Sequence, residues 1–104
     1  MLESDVERNL KMRLKRHLPK ALCLKLVCPG FLGVPDRLIL IPGGKAVFVE
    51  LKQPGKQERR RQLYVQDLIR ELGFPVFSRV DSDERINAVI AKCWELACAA
   101  GRTA

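Results

Sequence analysis

The first part of the chain repeats an apolar residue every four positions. The repeat consists of Val6, Leu10, Leu14 and Leu18. Side chains four residues apart lie on one face of an α-helix, so this pattern predicts an amphipathic helix over residues 4–18. Proline removes a backbone donor and disrupts a helix interior, and Pro19 therefore marks the end of this predicted helix.

The centre of the chain carries shorter apolar runs that are separated by turn residues. Residues 22–28 predict a first strand, in which Lys25 faces outwards. Two further runs, residues 38–41 and 46–49, flank the turn sequence Pro42-Gly43-Gly44 and predict a β-hairpin. The predicted functional residues are arranged around this hairpin.

The last part of the chain alternates helix and strand signals. Residues 56–72 predict a helix that Gly73 closes. Its buried face is expected to contain Tyr64, Val65, Leu68, Ile69 and Leu72. A strand over residues 76–80 and a final helix over residues 83–99 follow. The element order α, β, β, β, α, β, α predicts an α/β protein with a central mixed β-sheet of about four strands flanked by helices.

The size and charge of the chain restrict its class. The 104 residues suit one domain, and we expect residues 1–104 to form it. The formal net charge is +7, with 19 Lys and Arg against 12 Asp and Glu, which favours a polyanionic partner such as nucleic acid. No apolar run approaches the roughly 20 residues of a membrane span, and no signal-peptide core is visible. We therefore expect a cytoplasmic protein without a membrane partner.

Three ionisable residues stand at the ends of the hairpin strands. Asp36 precedes the first strand, whereas Glu50 and Lys52 end the second with Leu51 between them. Because side chains alternate along a strand, Glu50 and Lys52 point to one face and Leu51 to the other. Carboxylates are the hard oxygen ligands that Mg²⁺ prefers, and a lysine beside them can hold a water or a phosphate oxygen. The set therefore favours metal-assisted phosphodiester hydrolysis.

The pair Pro35-Asp36, followed after the hairpin by Glu50-Leu51-Lys52, resembles the PD-(D/E)XK nuclease motif. The longer pattern is similar to the VRR-NUC branch of that superfamily. It comprises residues 33–37, Pro42-Gly43-Gly44, residues 48–52, Pro54-Gly55 and Gln62, which stands eleven residues before Gly73. This resemblance covers about residues 3–90 and implies a restriction endonuclease-like fold.

The resemblance also implies an endonuclease that depends on Mg²⁺ or Mn²⁺ and hydrolyses DNA. Asp36 and Glu50 would bind the metal, with the backbone carbonyl of Leu51 as a further ligand. Lys52 would position or deprotonate the attacking water and stabilise the developing negative charge. Gln62, the glutamine of the motif, would hold the water or the scissile phosphate.

Similarity to stand-alone VRR-NUC proteins and to archaeal Holliday junction resolvases implies that a homodimer cuts a four-way DNA junction, and that the source is bacterial or a phage. The broad apolar stripe of the last predicted helix also favours a subunit interface. It consists of Ile86, Val89, Ile90, Cys93, Trp94 and Ala97. Two alternatives stay open, a nuclease that nicks flaps or DNA ends and a basic DNA-binding module without catalysis.

The resemblance places one further acid on the first helix, where Glu3 and Glu7 are both candidates. The string Val6-Glu7-Arg8-Asn9 is similar to that of the archaeal resolvases and gives a slight preference to Glu7. Other VRR-NUC sequences have their acid where Glu3 stands. Glu7 also fits a capping box with Ser4, in which it would only close the helix start.

Candidate DNA contacts lie mostly at the start of the second predicted helix. They are Lys56, Arg59, Arg60, Arg61 and Lys25, together with Gln66, which either contacts DNA or supports the side chains of the site. Basic side chains and free amide groups at a helix N-terminus favour phosphate. In the preceding loop, Phe31 and Leu32 either wedge against a base or pack onto the protein, and packing is the expectation.

The four cysteines form two pairs, Cys23 with Cys28 and Cys93 with Cys98. Neither pair shares a face of its predicted element, which argues against a structural zinc site. We expect them to act as small buried hydrophobic residues.

Overall fold

The computed structural model describes residues 2–101, which form three helices and four strands. In chain order these are α1 (Glu3–His17), β1 (Leu22–Lys25), β2 (Arg37–Ile41), β3 (Lys45–Leu51), α2 (Arg60–Glu71), β4 (Val76–Val80) and α3 (Asp83–Ala99). The predicted element order is confirmed, and so is the α/β fold class.

The strands form one mixed sheet in the order β1-β2-β3-β4. β1, β2 and β3 are antiparallel neighbours, whereas β4 pairs with β3 in parallel after the crossover through α2. The predicted hairpin is present, with Ile41 opposite Lys45 across the turn. Gly43 and Gly44 have φ values of 96° and 78°. Residues with a side chain rarely adopt such positive values, so the turn requires glycine at both positions.

The hydrophobic core lies between one face of the sheet and helices α1 and α3. The apolar stripe of α1 is buried as predicted, since none of its four residues exceeds 3% exposure. It packs against inward-facing residues of the hairpin, among them Ile39, Val47 and Val49. An ion pair of 2.6 Å between Arg13 Nη2 and Asp83 Oδ1 also joins α1 to α3.

Helix α2 covers the other face of the sheet beside β4, and its limits differ from the prediction. It begins at Arg60 rather than at residue 56, because the Gln62 Oε1 atom accepts the Arg59 N–H (2.8 Å) and caps the helix there. The expected buried face is also wrong in part, since Tyr64 is 55% and Leu72 77% exposed. Only part of the apolar face of α2 packs against the sheet, so Tyr64 and Leu72 are exposed to solvent.

The first strand and the first helix cap also differ from expectation. β1 ends at Lys25 rather than at residue 28, and Leu26 just beyond it donates its N–H to the Asp36 carbonyl (2.9 Å). The predicted capping box with Ser4 and Glu7 is wrong, since α1 begins one residue earlier and Asp5 Oδ2 accepts the Leu2 N–H (2.9 Å).

The cysteines and the last helix follow the prediction only in part. Cys93 is buried, Cys23 and Cys28 are half-buried, and Cys98 is exposed. The prediction that the cysteines are buried therefore holds fully for Cys93 alone of the four. The stripe of α3 belongs to the core, except for Trp94, which is 49% exposed. It therefore offers little surface for the predicted subunit contact. None of the helices within residues 2–101 is long and apolar enough to cross a membrane.

Candidate active site

The end of the hairpin brings Asp36, Glu50 and Lys52 to one edge of the sheet. Val49 and Leu51 point into the core, so the residue between them faces the α2 side, where Glu50 is only 4% exposed. The backbone N–H of Leu51 lies 3.3 Å from both Oδ1 and Oδ2 of Asp36. This contact holds the Asp36 carboxylate beside the end of β3, and the three predicted residues form one cluster.

Gln62 joins this cluster from the first turn of α2. Its Nε2 atom donates to Glu50 Oε2 (3.1 Å), and its Oε1 atom accepts from Lys52 Nζ (3.3 Å). The Lys52 Nζ atom also lies 3.4 Å from Glu50 Oε2. Glu50, Lys52 and Gln62 therefore form a closed triangle of polar contacts. The helix cap that Gln62 makes with Arg59 fixes the amide in this position.

Both carboxyl groups of the cluster titrate well above their ordinary range. Burial raises the pKa of Asp36 to about 6, although the Leu51 N–H and the Arg37 charge oppose the rise. Burial likewise raises the pKa of Glu50 to about 7, and the negative charge of Asp36 is the second cause. Two partly desolvated carboxylates that repel each other are stabilised by a bound cation, since a positive charge favours their ionised forms.

The donor set fits a hard divalent cation. Within residues 2–101 no three His, Cys, Asp or Glu side chains converge on one point, so this site offers two carboxylates and no preformed protein cage. Mg²⁺ is commonly bound by one or two carboxylates and retains several waters, which suits Asp36 and Glu50. A softer ion such as Zn²⁺ would be expected to recruit thiolate or imidazole ligands.

The two glutamates of α1 have different environments. Glu7 Oε2 forms an ion pair of 2.8 Å with the buried Arg37 guanidinium, and Glu7 Oε1 lies 2.9 Å from Lys11 Nζ. Hydrogen bonds from Lys11 and then Arg37 lower the pKa of Glu7. Glu3 is exposed, and its negative charge contributes to the raised pKa of Asp36. Of the two glutamates, Glu3 is therefore the one whose charge acts on Asp36, as a contribution smaller than that of burial, whereas Glu7 is paired with Lys11 and Arg37.

Most of the predicted basic DNA contacts are accessible at one side of the cluster. Lys56 and Arg59 stand in the loop before α2, Arg60 opens the helix, and Lys25 ends β1, all of them exposed. The Arg61 guanidinium is arranged differently, because it lies over the ring of Phe31 (5.1 Å to the centroid) and donates from Nε to the Leu32 carbonyl (2.9 Å). It braces the loop before β2 and is not a free phosphate contact.

The prediction made for Gln66 needs correction. Gln66 is fully buried and hydrogen-bonded to Glu58 and Ser78, so the predicted contact with DNA is wrong in this arrangement. The amide instead connects the loop before α2 to β4. Helix periodicity placed Gln66 one turn beyond Gln62 but could not show that the residue faces β4.

Two residues beside the cluster were given no role in the sequence interpretation, although Arg37 belongs to the motif of residues 33–37. Arg37 is 6% exposed and donates from Nη1 to the Asp36 carbonyl (2.9 Å), which holds the backbone at Asp36. Its position directly after Asp36, at the start of an apolar strand, could have indicated a buried charge that needs a partner. Glu58 bonds to Gln66 and adds negative charge near Glu50; it stands out as an acid within a basic stretch.

The expectation that Phe31 and Leu32 pack onto the protein is wrong for Leu32, which is 76% exposed. Phe31 is 46% exposed, and its ring lies under the Arg61 guanidinium. Gly33, in the same loop, lies close to the start of α2. A Cβ atom there would lie 2.9 Å from both the Cγ and the carbonyl oxygen of Arg61, so the close approach is to α2.

The mixed sheet and the Asp36, Glu50 and Lys52 set define the PD-(D/E)XK class of nuclease folds. No family model matches the chain. It is 36% identical over 74 residues to "Putative nuclease p44" of Acyrthosiphon pisum secondary endosymbiont phage 1, covering 71% of this chain and 77% of that protein. A solved VRR_NUC domain is 29% identical with a TM-score of 0.73, covering 86% of this chain and 94% of that domain. The chain belongs to the VRR-NUC nuclease family.

Proposed function

We propose that this protein is a Mg²⁺- or Mn²⁺-dependent endonuclease that hydrolyses DNA phosphodiester bonds, with residues 1–104 acting as one nuclease domain. The observation that carries the proposal is the contact network that joins Glu50, Lys52 and Gln62 beside Asp36. Phosphodiester hydrolysis needs a bound cation, an oriented water and a positive charge near the leaving oxygens, and this cluster holds one residue for each role.

The roles follow from the contacts. A divalent cation bound by Asp36 and Glu50 would neutralise phosphate charge and lower the pKa of a bound water. The Leu51 carbonyl would be a further ligand, because the Leu51 N–H already holds the Asp36 carboxylate at that position. Lys52 Nζ orients the attacking water and stabilises negative charge on the phosphate. The Gln62 amide, which contacts both Glu50 and Lys52, keeps their side chains in this alignment.

We further infer that Glu3 is the acid of helix α1 that acts on this site. Its charge influences Asp36, whereas Glu7 is held by Arg37 and Lys11. Glu7 then acts through Arg37, whose guanidinium also holds the Asp36 carbonyl. The exposed Lys56, Arg59, Arg60 and Lys25 would contact the DNA backbone near the site.

A homodimer that cuts a four-way junction is the preferred form of this function. The support is an uncovered face of β1 and β2, where Leu22 pairs with Leu40 and Leu24 with Leu38. Leu22, Leu24 and Leu40 are 57%, 42% and 39% exposed, and a second copy could bury them. Paired cuts on a two-fold symmetric junction require two active sites at a fixed separation, which a symmetric dimer supplies.

The test is cleavage of a labelled four-way junction, a flap and a linear duplex in Mg²⁺, Mn²⁺ or EDTA. Wild type is compared with Asp36→Asn and Lys52→Ala, and with Lys92→Ala as a basic control far along α3. We expect paired cuts near the crossover that need metal and disappear in both site variants. Cleavage of the flap without cleavage of the junction would show that the preferred substrate is a different DNA structure, while the proposed chemistry would stand. DNA binding without cleavage in either metal would contradict the proposal that the protein is an endonuclease.

A further inference from the structure

A ridge of exposed side chains stands beside the candidate active site. It consists of Phe31 and Leu32 from the loop before β2, and of Arg61 and Tyr64 from the start of α2. Phe31, Leu32 and Tyr64 are 46%, 76% and 55% exposed. Large apolar side chains that are exposed together, rather than singly, mark interaction sites.

The ridge is held in shape by specific contacts. The Arg61 guanidinium carbon lies 5.1 Å from the ring centroid of Phe31 and 5.4 Å from that of Tyr64, within the range of cation–π attraction. The Arg61 Nε–H also donates to the Leu32 carbonyl (2.9 Å). Gly33, with a φ of 91°, allows the loop to lie against the helix backbone at this point. Leu32 is therefore presented to solvent on a braced loop.

The ridge borders the catalytic cluster directly. A cleft of about 400 Å³ is lined by Leu32, Gly33, Val34, Lys52, Arg59, Arg61 and Gln62. Lys52 and Gln62 of the candidate active site and Leu32 of the ridge thus share the walls of one cavity. A phosphate seated at Lys52 would place the adjoining nucleotides of the same strand against the ridge.

The chemistry of the ridge selects its occupant. Its apolar and cationic surfaces suit the flat faces of bases, and the exposed Arg59 and Arg60 beside it attract phosphates. The chain carries a net charge of +7, so these basic residues disfavour a second copy of the chain here. Paired bases inside a duplex cover each other's faces, and bases at a branch point or in a single strand leave them open.

We propose that this ridge stacks against unpaired or unstacked bases next to the cut phosphate, with Leu32 as a wedge at the branch point. The ridge deepens the proposed function and rests on it, because it gives the nuclease its preference for branched DNA without reading the base sequence. Apolar side chains that enter a base step act in this way in other DNA-binding proteins.

The test measures DNA binding in EDTA, which separates recognition from cleavage. The probes are a four-way junction, an oligothymidine and a blunt duplex of equal nucleotide number. The variants are Leu32→Ser and Tyr64→Ala, with Leu72→Ser as the matched control. Leu72 is 77% exposed but lies at the other end of α2, about 16 Å from Arg61 along the axis.

We expect each ridge variant to bind the junction and the oligothymidine about 5- to 100-fold more weakly, while duplex binding changes less than about two-fold. The salt dependence should stay the same, because no charge is removed. Leu72→Ser should behave as wild type, and Leu32→Phe should retain binding. Circular dichroism of each variant confirms the fold, and Leu32, which is mostly exposed, has little packing to lose.

A second measurement locates the wedge. A fluorescent base analogue, 2-aminopurine, placed at the crossover should brighten when wild type unstacks it, and Leu32→Ser should abolish the change. Equal weakening of all three probes, no weakening, or a wild type without preference for open bases would overturn the ridge inference. Failure of the proposed function has a different signature, since wild type would then cut no DNA in either metal whatever the binding data show.

Discussion

Replacing Glu50 with glutamine should stabilise the metal-free protein at neutral pH and abolish the proposed cleavage of DNA. The Glu50 side chain is buried, and its pKa is raised from an ordinary value of 4.5 to about 7, first by burial and then by the charge of Asp36. The folded protein therefore resists ionising this group. Glutamine resembles the protonated acid in shape and can still accept the Gln62 Nε2–H, so the variant avoids that cost.

The magnitude follows from the pKa difference. Each pKa unit corresponds to roughly 1.4 kcal/mol, so above pH 7 the ionised Glu50 lowers the free energy of unfolding by about 3–3.5 kcal/mol. The folded state binds more protons than the unfolded state between pH 4.5 and about 7, and wild-type stability therefore falls as the pH rises through this window. Below pH 4.5 the acid is protonated in both states, and the two proteins should be equally stable.

Urea unfolding followed by circular dichroism in EDTA, at pH 4.5, 6 and 8, checks this expectation. The difference between Glu50→Gln and wild type should grow from near zero to about 3–3.5 kcal/mol across the series. Adding Mg²⁺ at pH 8 should stabilise wild type only, because the variant lacks one of the two carboxylates. A variant that is less stable than wild type at pH 8 in EDTA would refute the reasoning, since the Glu50 charge would then be favourable in the fold.

Two further substitutions test the supports of the site. Glu7→Gln should destabilise the folded protein by about 1–2 kcal/mol at pH 7, because it leaves the buried Arg37 without its carboxylate. Since the pKa of Glu7 is lowered in the folded state, wild type should lose this stabilisation as the pH falls below 4.5. Urea unfolding of both proteins at pH 7 and 3.5 measures the difference. Full stability with lost cleavage would instead make Glu7 a catalytic acid. Gly33→Ala should cost more than Gly30→Ala, whose φ of 84° is also positive but whose added Cβ would meet nothing within 4 Å. Equal thermal stabilities would show that the contact with Arg61 yields without cost.

The limits of the regular elements were predictable where local patterns decide them. The stripe of α1, the hairpin turn, β4 and α3 follow from spacing and turn residues alone, and they match the structure closely. The start of α2 was missed because its cap is a side chain, Gln62, whose amide is also held by Lys52 and Glu50 from the sheet. A cap that depends on a distant strand leaves little trace in helix propensity.

The sequence by itself determined the central part of the candidate site. Asp36, Glu50 and Lys52 are brought together by one hairpin and by the alternation of side chains along a strand, which are local properties. Glu3 and Glu7 both lie near the sheet side of one helix, and periodicity could not separate them. The folded protein distinguishes their environments, because the buried Arg37 guanidinium engages Glu7 and leaves Glu3 exposed.

Only the tertiary structure decided which apolar side chains are buried. Helix α2 lies beside β4 and leaves β1 and β2 uncovered, so Leu22 and Leu40 are exposed although a strand pattern would bury them. The same packing leaves Leu32 in solvent and puts the polar Gln66 in the interior. Burial depends on where whole elements dock on one another, and the order of residues within each element does not specify that placement.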